Sequence, residues 1–561
     1  MGTTAAIFYV SEGYSTAGTR LLGRQAAGEG FLKGLVRYGQ AQTLYCYTEQ
    51  QAGFEEFCDR VRPWLERPRD LQWLSTNHPP NLNQAGTLFY PAPGCGHLAW
   101  QRRFFDQRSY SFCGVTHTTA TKSVMNAIGE LAIAPLQPWD AVICTSNAVK
   151  ETFDRVLDDW CEYLAQRIGS RPSIDIQLPV IPLGVDCDFF PQGEEAQQIR
   201  ARLRQDLNIP IGAIAVLFVG RLVAYAKAHP VPMYLALERA AQQTRSPLYL
   251  IQAGWFETKG EEESFQKGAQ LFCPSVTTIF LDGRKPDIRR NIWCASDIFI
   301  SLSDNVQETF GLTPVEAMAA GLPTVVSDWN GYKETVRDRV DGFRIPTLFS
   351  PAGCGEDLAA QFAADAIPYG KYIGLPALET AIDIDACASA ISQLANHPEM
   401  RQKMGENGRR RARETFDWKV VVAAYEALWH ELAVLRSTAP MAAPLAEKSP
   451  ENPLNQDLFR LFSNYPTHVL HDRIVLSLGT NGNPEGMRKI AQLWMNVVDR
   501  DRYLKDELLA PVIQAIATAG KISVGELRRQ FASSDRIPNA IFDRTLVYLV
   551  KFDILKVVRY V

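Results

Sequence analysis

Short apolar runs alternate with helical periodicity through most of this chain, and that alternation leaves few folds open to it. Before residue 195 the runs AAIFYV, TLYCY, LQWLS, TLFYP, SFCGV, AVICTS and PVIPLG read as strands, with helical patterns between them such as 21–38 and 122–134. Strands separated by helices pair in parallel, because the return to the same end of a sheet takes a dozen residues or more. After a helical pattern over 194–207, the alternation resumes with AIAVLFVG, LYLIQAGW, TTIFLDG, DIFISLS and TVVSD. The reading is an α/β chain with two Rossmann-like α/β/α domains, 1–195 and 196–413, followed by a long amphipathic helix over 414–435. Ligands on such sheets bind outside the carboxyl ends of the strands, so the residues just past each strand are where chemistry is sought.

Residues 297–334 read as a strand, a polar loop, a short helix, a second strand and a turn. A helix start presents unpaired N–H groups and the positive end of the peptide dipoles, which is the chemistry of an anion site. Gly311 has no Cβ and lets a ligand approach the backbone. Glu308 lies on the loop and Glu316 in the helix, with seven residues between them. Carboxylates would repel phosphate and suit hydroxyls, and a ligand carrying both is a nucleotide sugar. The plain alternative is that Thr313-Pro314-Val315-Glu316 is a capping box with proline at the first helical position. That would make Glu316 only a cap; Glu308 has no such role available.

Other strand ends carry further candidates. Arg221 directly follows AIAVLFVG and Lys227 comes six residues later; they are either solvated surface or a clamp for the charge that builds on a departing diphosphate. His117 follows SFCGV and is either a structural histidine or a residue of the cleft, while His97 is a weaker, acceptor-side candidate. The first strand empties into a Gly/Ser/Thr-rich loop over 11–18, and Gly23 then opens a helix, either for close packing or for close approach to a ligand. Gly283-Arg284 marks another strand end, and Trp255 and Phe256 read as buried between helix and sheet. Asp186-Cys187-Asp188 has the spacing of a metal-binding D-x-D but the context of a hinge, so no metal site is expected. The run RRRAR at 409–413 reads as a solvated helix face, and 346–380 as an irregular insertion.

The segment ETFGLTPVEAMAAGLPTVVSD resembles the nucleotide-sugar signature of the retaining GT-B glycosyltransferases of family 4, the glycosyl transferases group 1. The departure is Asp328-Trp329-Asn330-Gly331-Tyr332 before Glu334, where the family has a Gly-Gly turn. The resemblance covers about residues 1–435 and implies a GT-B fold, two Rossmann-like domains facing a cleft, with 414–435 crossing back onto the first. It assigns Glu308 to donor-sugar hydroxyls, Glu316 to the ribose, and Thr309, Phe310, Gly311 and Leu312 to the phosphate. Arg221 and Lys227 become the diphosphate clamp, His117 a donor-sugar contact, Gly23 an approach to the donor phosphates, and Arg284 a neighbour of the base. No second carboxylate stands out as a nucleophile, so the implied chemistry is front-face, metal-independent transfer to a glycan, glycolipid or other hydroxyl acceptor. No cofactor is implied beyond the substrate itself, a UDP- or GDP-sugar for example. The alternative is a scaffold that binds a nucleotide sugar and signals through its last domain.

Composition sets the remaining bounds. At roughly 150 residues per domain, 561 residues leave room for three to four. The linker 436–455 is Pro/Ala/Ser-rich, and 456–561 reads as a small, mostly helical domain that loosely resembles a winged helix. Its balanced charge favours a protein partner or self-association over nucleic acid, as does the chain's net charge of −4. The eleven cysteines contain no C-x-x-C pair and fit a reducing compartment. No signal peptide, myristoylation pattern (position 6 is Ala6) or run of ~20 apolar residues is found. A cytoplasmic protein, at most peripheral to a membrane, is the expectation.

Overall fold

The computed structural model describes residues 2–16, 23–440, 451–496, 502–532 and 538–559. The chain divides into two compact units, Met1–Glu451 and Asn452–Val561. The first unit holds two six-stranded parallel sheets. One comprises β1 (Thr4–Phe8), β2 (Thr43–Thr48), β3 (Asp70–Ser75), β4 (Gly86–Tyr90), β5 (Ser111–Val115) and β6 (Ala141–Ile143), in the order β3-β2-β1-β4-β5-β6. The other comprises β7 (Ile214–Val219), β8 (Leu248–Gly254), β9 (Thr277–Asp282), β10 (Ile298–Ser301), β11 (Thr324–Ser327) and β12 (Gly342–Ile345), ordered β12-β11-β10-β7-β8-β9. Both orders are those of a doubly wound Rossmann sheet, and each reverses direction beside its first strand, where ligands bind. Apolar clusters cover both faces of each sheet, which is why the strands read as continuous apolar runs. Two such domains across a cleft are the GT-B arrangement.

The chain crosses between the domains twice, and the crossings run side by side: the Val185 N–H donates to the Phe416 carbonyl at 2.8 Å and the Trp418 N–H to Val185 at 3.2 Å. The helix Trp418–Thr438 then packs on the first domain, with Trp418, Tyr425 and Trp429 in the core beneath the helix Gly23–Tyr38. At its end the buried Arg436 donates through Nη1 to the Gly86 carbonyl and to Ser111 Oγ, both at 2.6 Å.

Three expectations are corrected, and the expected mostly helical last domain is found. PVIPLG is no strand: Val180 makes only a parallel bridge to Cys144, because Pro179 and Pro182 lack the N–H a ladder needs. The segment 346–380 is regular, with helices Glu356–Ala363 and Tyr369–Leu378 and an antiparallel pair, Thr347–Phe349 with Thr380–Ile382. The arginine run is not simply solvated: Arg409 donates to the Ala320 carbonyl at 2.7 Å and Arg411 to the Glu334 carbonyl at 2.7 Å. In the second unit, a three-stranded antiparallel sheet (Val475–Leu478, Ile522–Ser523, Leu555–Arg559) joins the helices Asp506–Ala519 and Asn539–Lys551 around one core. Its first strand lies in the apolar run 474–478, which ends at Gly479. Residues 17 and 18 of the expected glycine-bearing loop and 441–450 of the expected linker lie outside the described residues.

Candidate active site

β10 and its loop place Glu308 opposite the end of β7, where Arg221 and Lys227 follow the strand. Lys227 Nζ donates to Glu308 Oε2 at 2.5 Å, with the side chains 17% and 15% exposed. Burial pushes the Glu308 carboxyl up, but the Lys227 ammonium and the amides of Thr309 and Phe310 outweigh it and hold the group below its ordinary value. Burial likewise opposes the charge on Lys227, and Glu308 reverses that, raising the ammonium above its ordinary value. Arg221 Nη1 reaches Glu257 Oε1 at 3.3 Å, and the Tyr225 hydroxyl donates to Glu257 Oε2 at 2.9 Å.

The helix Leu312–Ala320 starts from Gly311, whose φ of +92° suits glycine; a Cβ there would lie 2.1 Å from Tyr332 Cε1. It is thus the Tyr332 ring that demands the glycine. The alternative of a capping box does not hold: Thr313 lies inside the helix and no side chain caps it. Glu316 is left facing the cleft with no hydrogen-bond partner among the described residues, its carboxyl pushed up by burial and drawn partly back by Arg289 and Lys227. The first amides of the helix have no intrahelical acceptor, and Leu312 and Thr313 line the same space.

The first domain closes the other side. Thr309 Oγ1 donates to the His117 carbonyl at 3.1 Å, and Ser146 Oγ donates to the Thr309 carbonyl at 2.8 Å. Glu334 reaches across to the start of the helix Asn147–Ile168, accepting from the Asn147 N–H at 2.7 Å and from its Nδ2 at 2.9 Å. Burial, then the nearby Arg24, pulls the His117 imidazole down to about 4, so it is neutral at neutral pH. Arg284 is held by both oxygens of Asp282 at 2.9 Å, its guanidinium 5.7 Å from the Trp255 ring centroid.

A single cleft of about 1020 Å³ is lined by Gly23, His117, Arg221, Lys227, Arg284, Glu308, Thr309, Phe310, Gly311, Leu312 and Glu316 together. Phe310 is largely core, packed edge-on to Phe416. His97 does not line the cleft. Asp186 accepts from Lys33 and Asp188 from Arg413, both at 2.9 Å, so the D-x-D carboxylates are spent on hinge cations. Sequence reasoning missed Glu257 and Glu334, and Tyr369 and Gln307 on the cleft wall. Glu257 could have been found by extending the strand-end rule three residues past Gly254; Gln307 and Glu334 lie inside the window 297–334 already singled out, and Tyr369 had no local signal.

Residues 199–353 match the family model described as Glycosyl transferases group 1. The match covers the part of the second domain that carries Arg221, Lys227, Glu308 and Glu316. The chain is similar to D-inositol 3-phosphate glycosyltransferase of Saccharomonospora viridis, 27% identical over 353 residues, which span 61% of this chain and 70% of that protein. It is 30% identical over 173 residues to lipopolysaccharide 1,2-N-acetylglucosaminetransferase of Salmonella typhimurium, covering 30% of this chain and 44% of the relative. Among solved structures, Anabaena HepE in complex with UDP and glucose aligns with a TM-score of 0.47 at 15% identity, over 78% of this chain and 100% of that one. No helix among the described residues is long and apolar enough to cross a membrane.

Proposed function

We propose that this chain is a retaining glycosyltransferase that moves a sugar from a nucleoside diphosphate to a hydroxyl acceptor held by the first domain. The observation that carries the reading is the Lys227–Glu308 contact at 2.5 Å, set beside Arg221 and the open amides of a helix start. Cations and amide dipoles suit a diphosphate, and the carboxylates of Glu308 and Glu316 suit the hydroxyls on either side of it. As the glycosidic bond breaks, negative charge grows on the leaving phosphate, and preplaced Arg221 and Lys227 stabilise it without reorganising. In this reading that task falls to the two side chains and not to a metal. Glu308 orients the sugar, and the departing phosphate oxygen takes the acceptor's proton on the same face. His117, kept neutral by burial, offers a hydrogen bond without adding charge. Cell-surface polysaccharide or glycolipid assembly is the proposed setting, supported by the name of the lipopolysaccharide relative and not by that of the inositol phosphate one.

Thermal shift against UDP-, GDP- and ADP-sugars identifies the donor, since a ligand at 100 times its Kd stabilises by about 2.7 kcal/mol. Release of the nucleoside diphosphate in the presence of acceptor then reports transfer. Glu308→Ala and Arg221→Ala are expected to abolish release while remaining folded; full turnover by both refutes the assignment. Binding without release by the unaltered protein would instead support the scaffold reading.

A further inference from the structure

The helix Tyr369–Leu378 belongs to the segment that sequence pattern read as irregular, and it is packed against both loops that carry the charged centre of the site. On one side it meets the 221–227 loop at van der Waals distance: a Cβ on Gly374 would lie 2.8 Å from Tyr225 Cβ, and one on Gly370 would lie 3.0 Å from the Tyr225 ring. Ile373 is fully buried in a cluster with Val223 and Ala226 of that loop and Ala120 of the first domain. On the other side, the Tyr369 hydroxyl donates to Gln307 Oε1 at 3.1 Å, one residue before Glu308. Tyr369, Gln307 and Thr118 all line the cleft. Burial raises the Tyr369 phenol above its ordinary value, so it keeps its proton across the neutral range. The Gln307 amide nitrogen has no hydrogen-bond partner among the described residues, and the phenol oxygen, within reach of the Thr118 hydroxyl, keeps a lone pair for a ligand after donating.

We propose that Tyr369 and Gln307 form the sugar-selecting wall of the cleft, and that they admit an uncharged, hydroxyl-bearing sugar. The inference rests on the glycosyltransferase reading and deepens it by naming the class of sugar. The chemistry of the corner is a phenol, an amide and a hydroxyl, which pair with sugar hydroxyls in either direction. The cations that act on Tyr369 and Glu308 are already engaged, Arg221 by Glu257 and Lys227 by Glu308, while Arg24 acts on His117 instead. A sugar carboxylate placed against Tyr369 and Gln307 would meet the Glu308 charge with no unengaged cation at that corner, so hexuronates are rejected there. The inserted helix supplies one of the two side chains directly and holds the other through its hydrogen bond.

The test compares binding of UDP and GDP with UDP-glucose, UDP-N-acetylglucosamine, GDP-mannose and UDP-glucuronate, by calorimetry on the full chain and on Tyr369→Phe. Phenylalanine preserves the ring and its packing, so a purely structural role would leave every constant unchanged. The unaltered chain should bind one neutral nucleotide sugar more tightly than its free diphosphate. Tyr369→Phe should lose about tenfold of that preference, the worth of one hydrogen bond, while binding the free diphosphate as before. An unchanged preference in Tyr369→Phe, or UDP-glucuronate as the tightest ligand, overturns the inference and leaves the glycosyltransferase reading standing. Failure of the unaltered chain to bind any diphosphate or nucleotide sugar overturns both.

Discussion

Replacing Lys227 with methionine isolates the contact at the centre of the site, because methionine keeps the aliphatic stem and removes the charge. Glu308 then loses its partner at 2.5 Å, in a place where the two side chains are only 17% and 15% exposed. Breaking a buried ion pair from one side costs about 3–5 kcal/mol. The residual exposure toward the cleft puts this case at the lower end, about 3 kcal/mol, a fall of about 3 °C in melting temperature for a unit of this length. Adding Glu308→Gln removes the stranded charge, so the double variant should melt well above Lys227→Met. The pH dependence carries a second signature. The folded Glu308 value lies below the ordinary 4.5 and the folded Lys227 value above the ordinary 10.5. The pair's stabilisation is therefore complete between those ordinary values. It is lost as pH falls through the depressed carboxyl value, and again as pH rises through the elevated ammonium value. Lys227→Met should flatten both limbs and abolish the stabilisation by UDP or GDP. Differential scanning fluorimetry of the single and double variants, with and without nucleotide, reads all of this. A Lys227→Met protein that melts and responds to nucleotide like the unaltered one, or strictly additive single effects, would refute the reasoning.

Glu257→Gln keeps an acceptor for Tyr225 but removes the charge that steadies Arg221; nucleotide release should fall by up to about fivefold with donor affinity nearly unchanged. Glu334→Ala strips the carboxylate from the start of the helix Asn147–Ile168. It should cost about 1 kcal/mol and lower transfer more than donor binding, since the contact joins the two domains; equal losses in both would count against it. The folded His117 value of about 4 lies below the ordinary 6.5, so its contribution to stability should decline as pH drops between those values. Transfer should show no inflection from His117 near 6.5, and NMR titration of its ring protons would expose any protonation there.

Much of the site was legible because its parts are local. Arg221, His117 and Glu308 each sit within a few residues of a strand end, and the strands announce themselves as apolar runs. The glutamates and the helix start between them occupy one short window, so their spacing alone suggested a ligand with both hydroxyls and phosphate. Glu316 was open between cap and cleft until Gly311 proved to start the helix. The D-x-D carboxylates likewise needed their Lys33 and Arg413 partners, 153 and 225 residues distant, to be placed.

By itself the sequence determined the two parallel sheets, the position of the charged centre and most of the residues around it, since periodicity and strand ends are properties of short windows. Tertiary structure alone decided that Lys227 pairs with Glu308 across 81 residues, and that Glu334 caps a helix of the other domain. It also decided that a segment without periodicity supplies Tyr369 to the wall. The reason is strand order: setting β10 beside β7 brings two distant loops together, and no local pattern encodes which loop ends will be neighbours.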